Sequence, residues 1–183
     1  MTHKLLFLTL CLLGICSACV ETPAEGKLVE DKPFFDLKGY FVEEMNRLQD
    51  KRDFTKITVY NGEREEKKAV TVDLQKELQI FSNADINRTA WLDKYRADTT
   101  FNDRKNILII EYKALEPDLK TRSLRVEFSE SSVSRIEIVT AGKSIVSQTQ
   151  NILTYSPARG YGIRSMQDII LLTENDMETE VLF

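Results

Sequence analysis

The chain has 183 residues, with 25 lysines and arginines against 29 aspartates and glutamates and a formal net charge of −4. A mildly acidic chain of mixed charge, with no basic stripe interleaved with aromatics, is not one that coats nucleic acid or a highly anionic surface. Its one histidine, His3, and its three cysteines, Cys11, Cys16 and Cys19, all lie at the start; the rest has no material for a Ser-His-Asp or Cys-His pair, a His- or Cys-based metal or haem site, or a disulfide framework.

The first residues read as a leader. Lys4 and the amino terminus supply positive charge, and residues 5–15 are apolar apart from Thr9, Cys11 and Gly14. That run is shorter than the roughly 20 residues of a membrane-spanning helix and has the length of a secretory h-region. Cys16-Ser17-Ala18-Cys19 follows, with two small residues directly before Cys19. The segment resembles a bacterial lipobox, with Cys16 standing where that pattern has an aliphatic residue. The resemblance implies a signal peptide over residues 1–18 and acylation of Cys19, whose acyl chains would hold the protein to a membrane. The other reading is an ordinary secretory signal cut there or nearby, which leaves Cys19 a free thiol. In lipoproteins of Gram-negative bacteria an aspartate directly after the acylated cysteine holds the protein at the inner membrane. Val20 stands there instead, which by resemblance implies the outer membrane.

Residues 19–33 read as the acylated cysteine and a flexible polar tether with two prolines, Pro23 and Pro33. Residues 34–183 have the length of one domain and can bury a core. Phe34, Leu37, Phe41, Met45 and Leu48 recur at spacings of three and four and predict an amphipathic helix, with Glu43, Glu44, Arg47 and Asp50 largely off the apolar stripe. Gly39 weakens that helix by about 1 kcal/mol relative to alanine and marks close packing. Asn61-Gly62 between residues 54–60 and 63–72 predicts a type I′ hairpin, with Ile57 and Val59 on the face of Glu66, Arg64, Val70 and Val72 and a polar tip in solvent. Asp73 caps a second helix carrying Leu74, Leu78 and Phe81, which ends near Asn83. Residues 83–87 alternate oxygens as a calcium loop begins, but Lys94 stands where its glutamate belongs.

Trp91, Asp93 and Tyr95 alternate as in a half-exposed strand, residues 99–106 read as a loop, and residues 107–112 as a central strand. Alternation then recurs through Leu124, Val126 and Phe128, a turn at 129–132, and Ile136 and Ile138. A turn at Ala141-Gly142, a strand to Tyr155, a loop over 156–162, a strand over 163–173 and a last edge strand over 180–183 complete the pattern. The expected fold is α+β: an antiparallel meander of about six to eight strands with two helices from the N-terminal half packed on it.

Carboxylates, lysines, arginines, tyrosines and hydroxyls are the catalytic material left. A glycosidase needs two carboxyls at a fixed separation in a cleft, and no acid here sits in an apolar stretch that would raise its pKa. Ser144 neighbours Lys143, but adjacent residues of a strand face opposite sides. Gly160-Tyr161-Gly162 lacks the third glycine and following helix of a phosphate cradle. The expectation is a protein that is not an enzyme and holds no cofactor or metal; a carboxylate-dependent hydrolase is the enzymatic alternative.

Two non-enzymatic readings follow. One is a binding or scaffolding module of the outer envelope, meeting a protein or glycan partner through the Asn61-Gly62 tip, Trp91, the loop that carries Tyr161, or an edge strand. The other is a lipid or lipoprotein carrier, its sheet an open half-barrel around an acyl chain. A sealed core predicts a helix plugging the sheet, and a carrier predicts an apolar cavity of several hundred Å³. The whole chain resembles small lipoproteins of Bacteroidota, a likeness specific only across residues 1–19 that transfers no functional residue beyond Cys19.

Overall fold

The computed structural model describes residues 32–170 and 175–183. Cys19, the expected signal peptide and the expected tether as far as residue 31 lie outside the described residues. Helix α1 spans Leu37–Leu48 and is capped by Asp36, whose carboxylate accepts from Gly39 N at 2.9 Å. A Cβ on Gly39 would collide with that carboxylate, so the close packing expected at this glycine is with the helix cap and not with another element. Phe34 lies ahead of the helix because Asn87 holds the approaching chain: Phe34 N donates to Asn87 Oδ1 at 3.1 Å, and Asn87 Nδ2 donates to Phe35 O at 2.9 Å. Asp85 adds a second hold, accepting from Lys38 N at 2.9 Å, so two of the side chains of the 83–87 segment pin the start of α1.

Strands β1 (Phe54–Tyr60) and β2 (Glu63–Val70) turn at Asn61 and Gly62, whose φ angles of 49° and 89° are those a type I′ turn requires. Ile57 faces Glu66 and Val59 faces Arg64, as the spacing predicts. A register shift between Phe54 and Lys56 then places Val70 opposite Phe54. This moves Val70 off the face of Ile57 and against the core, correcting its expected place. Helix α2 (Leu74–Ser82) follows, with Asp73 capping it through Lys76 N at 3.0 Å.

The remaining strands are β3 (Tyr95–Asn102), β4 (Ile107–Ala114), β5 (Thr121–Ser129), β6 (Ser132–Lys143), β7 (Ser147–Ser156), β8 (Gly160–Ile169) and β9 (Asn175–Leu182). All pairings are antiparallel, in one open sheet of order β2-β1-β9-β8-β7-β6-β5-β4-β3. The fold is α+β as expected, with nine strands among the described residues where six to eight were predicted.

The differences are local. Trp91 closes a single 3-10 turn, Thr89–Trp91, instead of lying in a strand, and β3 takes in half of the expected 99–106 loop. That makes β3 the edge, so β4 lies next to the edge and not at the centre. Strand β6 continues through Ala141 and Gly142, and the 156–162 loop contracts to a tight turn before Gly160. Strand β9, expected at an edge, is inserted between β8 and β1 and joins the first hairpin to the meander.

Alternation puts Tyr112, Leu124, Val126, Ile136, Ile138, Leu153, Tyr155, Tyr161 and Val181 on one sheet face, each at most 6% exposed. Both helices lie on that face: the Phe41 ring stands 5.0 Å from Tyr155 and 4.9 Å from Phe81, and Phe81 stands 6.1 Å from Tyr161. Leu37, Phe41, Leu78 and Phe81 have no exposed surface, so α1 and α2 fill this face. The register places the β1–β2, β4–β5 and β6–β7 connections at one end of the strands, the tip end below. The β3–β4, β5–β6 and β7–β8 turns lie at the other.

Candidate functional site

Two acid–tyrosine clusters are built where the helices meet the sheet. Glu44, expected off the apolar stripe of α1, is only 8% exposed, and the Tyr155 hydroxyl donates to its carboxylate. Arg47, one helical turn on, straps the same carboxylate from Nε to Oε1 at 3.0 Å and from Nη2 to Oε2 at 2.8 Å. Its Nη2 also donates to the Pro157 carbonyl at 3.2 Å, which fastens α1 to the β7–β8 turn. In the second cluster the Tyr161 hydroxyl donates to Glu77 Oε2 at 2.7 Å, while Lys56 Nζ donates to Oε1 at 2.9 Å. Each carboxylate is thus held by a phenol and a cation. In these contacts the acids tie helix to sheet.

Burial pushes the Tyr155 and Tyr161 phenols well above their ordinary range, and the carboxylates of Glu44 and Glu77 push the same way. Burial also raises Tyr95, to about 12, and Tyr112. Because the unfolded chain ionises these phenols first, the stability they lend is complete below their ordinary value of 10.0 and is lost as pH climbs through the folded values. An alkaline titration followed at once by phenolate absorbance and circular dichroism is expected to show Tyr95, Tyr112, Tyr155 and Tyr161 ionising together with loss of the fold. Ionisation of these four with the fold intact would contradict the packing described.

The opposite sheet face carries no helix. Its register aligns Asp98, Glu111, Arg125 and Glu137 across β3 to β6, and ion pairs along the strands, such as Lys113–Glu111 at 2.8 Å and Arg135–Glu137 at 3.2 Å, balance it. Toward the tip end this face opens into a cleft of about 580 Å³. Ala141 and Met166, each half-buried, line it with Gln150 between them in one row. Arg164 forms one wall, fixed by two bonds to Asp176 at 2.7 and 3.1 Å. Lys143, Gln148 and Gln150 line it without an ion pair or side-chain hydrogen bond among the described residues, so their donors and acceptors face solvent.

This arrangement offers amide and ammonium groups over a small apolar floor, which suits a polar partner and lacks a nucleophile–base pair. No family model, no curated protein and no solved structure matches the chain.

The residues singled out from the sequence are not brought together. Asn61 and Gly62 form an exposed tip, but Asn61 also braces β9: its N–H donates to Asp176 O at 3.0 Å and its Oδ1 accepts from Asp176 N at 3.2 Å. Trp91 lies toward the β3 edge of the sheet, half-exposed, with the Arg88 guanidinium 4.3 Å above its ring. Tyr161, expected on a loop, is in β8 and only 2% exposed, because the turn ends before it and alternation points its ring at α2. The cleft groups Lys143, Gln148 and Gln150 were missed because Ala141-Gly142 reads as a turn. The signal that would have found them is the alternation of Ile136 and Ile138 carried on through Thr140.

Among the described residues no group of three or more His, Cys, Asp or Glu side chains is placed to hold a metal ion. Among them, too, no helix is long and apolar enough to cross a membrane.

Proposed function

We propose that this is an envelope lipoprotein, acylated on Cys19 and held at the outer membrane, whose domain acts as a non-enzymatic binding or scaffolding module. The observation that supports the module reading is the contrast between the two sheet faces. One is filled by α1 and α2 with side chains such as Phe41 and Leu153 at zero exposure, and the other is bare, polar and cleft. A half-barrel carrier needs an apolar hollow on the face that the helices occupy. Three of the clefts among the described residues are open and of mixed polarity, and a fourth, over Phe101, Leu108, Ile110 and Phe128 at the far end of β3 to β5, is mostly apolar but equally open, a surface groove and not a sealed hollow. The cleft bounded by Lys143, Gln148 and Gln150 is the surface proposed to meet a protein or glycan partner.

Intact mass of the membrane-extracted protein tests the anchor. The expected result is a chain beginning at Cys19 with acyl chains attached, and an unmodified mass, or a start elsewhere, would overturn it. A photo-crosslinking residue at Gln150, compared with one at Asp103 on the far turn, tests the surface. A discrete adduct at Gln150 alone is expected, and equal or no adducts at both would remove the cleft from consideration. Stoichiometric lipid retained in native mass spectra would favour the carrier instead.

A further inference from the structure

The apolar side chains left in solvent are not spread evenly. Of the large hydrophobic residues that stay exposed, most lie at the tip end of the strands. There, Leu92 and Leu115 flank the start of β3, while Ile145 and Val146 cap the β6–β7 turn with Ile170 beside them. Ile145 is 94% exposed and Ile170 63%. Tyr60, half in solvent at the end of β1, sits on the same rim.

The β6–β7 turn is also built to leave water. Ser144 N donates to Ser147 O at 2.8 Å, Ser144 Oγ accepts from Val146 N at 3.3 Å and from Ser147 N at 3.0 Å, and Ile170 N donates to Val146 O at 3.0 Å. A tip whose backbone groups are mostly satisfied internally enters a poorly hydrated layer at low cost, whereas an open loop does not.

We propose that this end of the sheet rests on a phospholipid bilayer, with Ile145, Val146 and Ile170 entering the headgroup–acyl boundary of a zwitterionic surface. The proposal rests on the reading that Cys19 is acylated, and deepens it by orienting the domain. Two further observations carry it. Near the start of the described chain Phe34 packs edge-on toward this end, against Tyr95, the first residue of β3, at 6.0 Å and Tyr112 at 5.5 Å, while Phe35 reaches the other way to Phe128 at 6.1 Å. The fourteen residues between Cys19 and Phe34 reach at most roughly 50 Å, so an anchored chain keeps the domain within contact distance of the headgroups, and the exposed aliphatic residues decide which end meets them. The apolar clusters are, in addition, separated by charged side chains, among them Lys94, Glu116, Lys143 and Asp168. A second copy of the chain would need a contiguous patch of roughly 800 Å² on each partner. Separate aliphatic knobs between charges suit a surface that yields around each of them.

The test uses the full acylated protein in phosphatidylcholine vesicles, with Ile145→Cys or, as the control on the far turn, Asp103→Cys. The leader cysteines leave with the signal and the Cys19 sulfur is acylated, so a solvatochromic label attaches at the introduced thiol. The expected result is a blue shift and quenching by doxyl-labelled lipid at 145, with neither at 103. Aqueous emission at both positions in vesicle-bound protein would overturn the proposal and leave the anchor standing. Intact mass reads the anchor separately. If no acyl chain is found, the label is read on vesicles added to protein that also carries Cys19→Ser, which leaves the introduced thiol as the one labelled: a shift at 145 still supports the proposal, and none overturns it. A shift at 145 that appears before vesicles are added and grows with protein concentration would identify a second copy as the occupant and overturn it as well.

Discussion

Phe41→Ala is expected to remove about 3–5 kcal/mol of stability, a large share of the roughly 5–15 kcal/mol that holds a domain of this kind together. The ring has no exposed surface and lies 5.4 Å from Tyr40, 4.9 Å from Phe81 and 5.0 Å from Tyr155, so its loss opens a void where α1, α2 and β7 meet. None of those neighbours can fill the gap freely. Tyr155 is tied through its hydroxyl to Glu44, and Phe81 is wedged against Tyr161 at 6.1 Å. Urea unfolding followed by circular dichroism measures the loss. Val42→Ala, at the next position and 46% exposed, should change stability by no more than about 0.5 kcal/mol. Equal effects at 41 and 42 would mean that α1 does not seal the sheet, and the argument against a lipid-filled interior would go with it.

Gly160→Ala is the second large effect, and its cause is the backbone. Gly160 has φ 142°, a region that side-chain-bearing residues rarely enter, and a Cβ there would collide with Val181 O while standing 2.9 Å from Val181 C and 3.0 Å from Leu182 Cα. These are backbone atoms of the neighbouring strand and cannot rotate away. Strand β9 must retreat, and with it the ladder that joins β1 and β2 to the meander. A loss of about 3 kcal/mol or more is expected from strain and clash together. Hydrogen exchange should quicken first in β1 and β9, whose amides share that ladder. Gly142→Ala is the matched control, since its Cβ would meet only open space. If both glycines tolerate alanine equally, the close approach of β8 and β9 at this point is wrong.

Both helices were legible because their signals are local. The stripe from Leu37 to Leu48 and the cap at Asp73 need no knowledge of what lies opposite, and Asn61-Gly62 defines its turn by backbone angle alone. What stayed hidden depends on distant partners. Strand β9 carries Asn175, Asp176, Glu178 and Glu180, a composition that reads as a turn. It becomes a strand because β1 and β8 offer ladders on both sides, while Thr179 and Val181 face the core. Strand β3 is polar at Arg96, Asp98 and Thr100, which suits an edge and disguises a strand. The burial of Glu44 follows from Tyr155, 111 positions away. The open cleft escaped for the same reason, since Ala141 and Met166 share a row only when β7 lies between them.

The interior place of β9 carries a consequence for the order of events in folding. The first hairpin closes through local contacts, yet its inner row of amides and carbonyls finds its mate only in Asn175–Leu182, more than a hundred positions along the chain. Contacts that close so long a span form late and slowly. A chain wired this way completes its sheet only when residues 175–182 dock between β1 and β8, so the seam on both sides of β9 closes in one step.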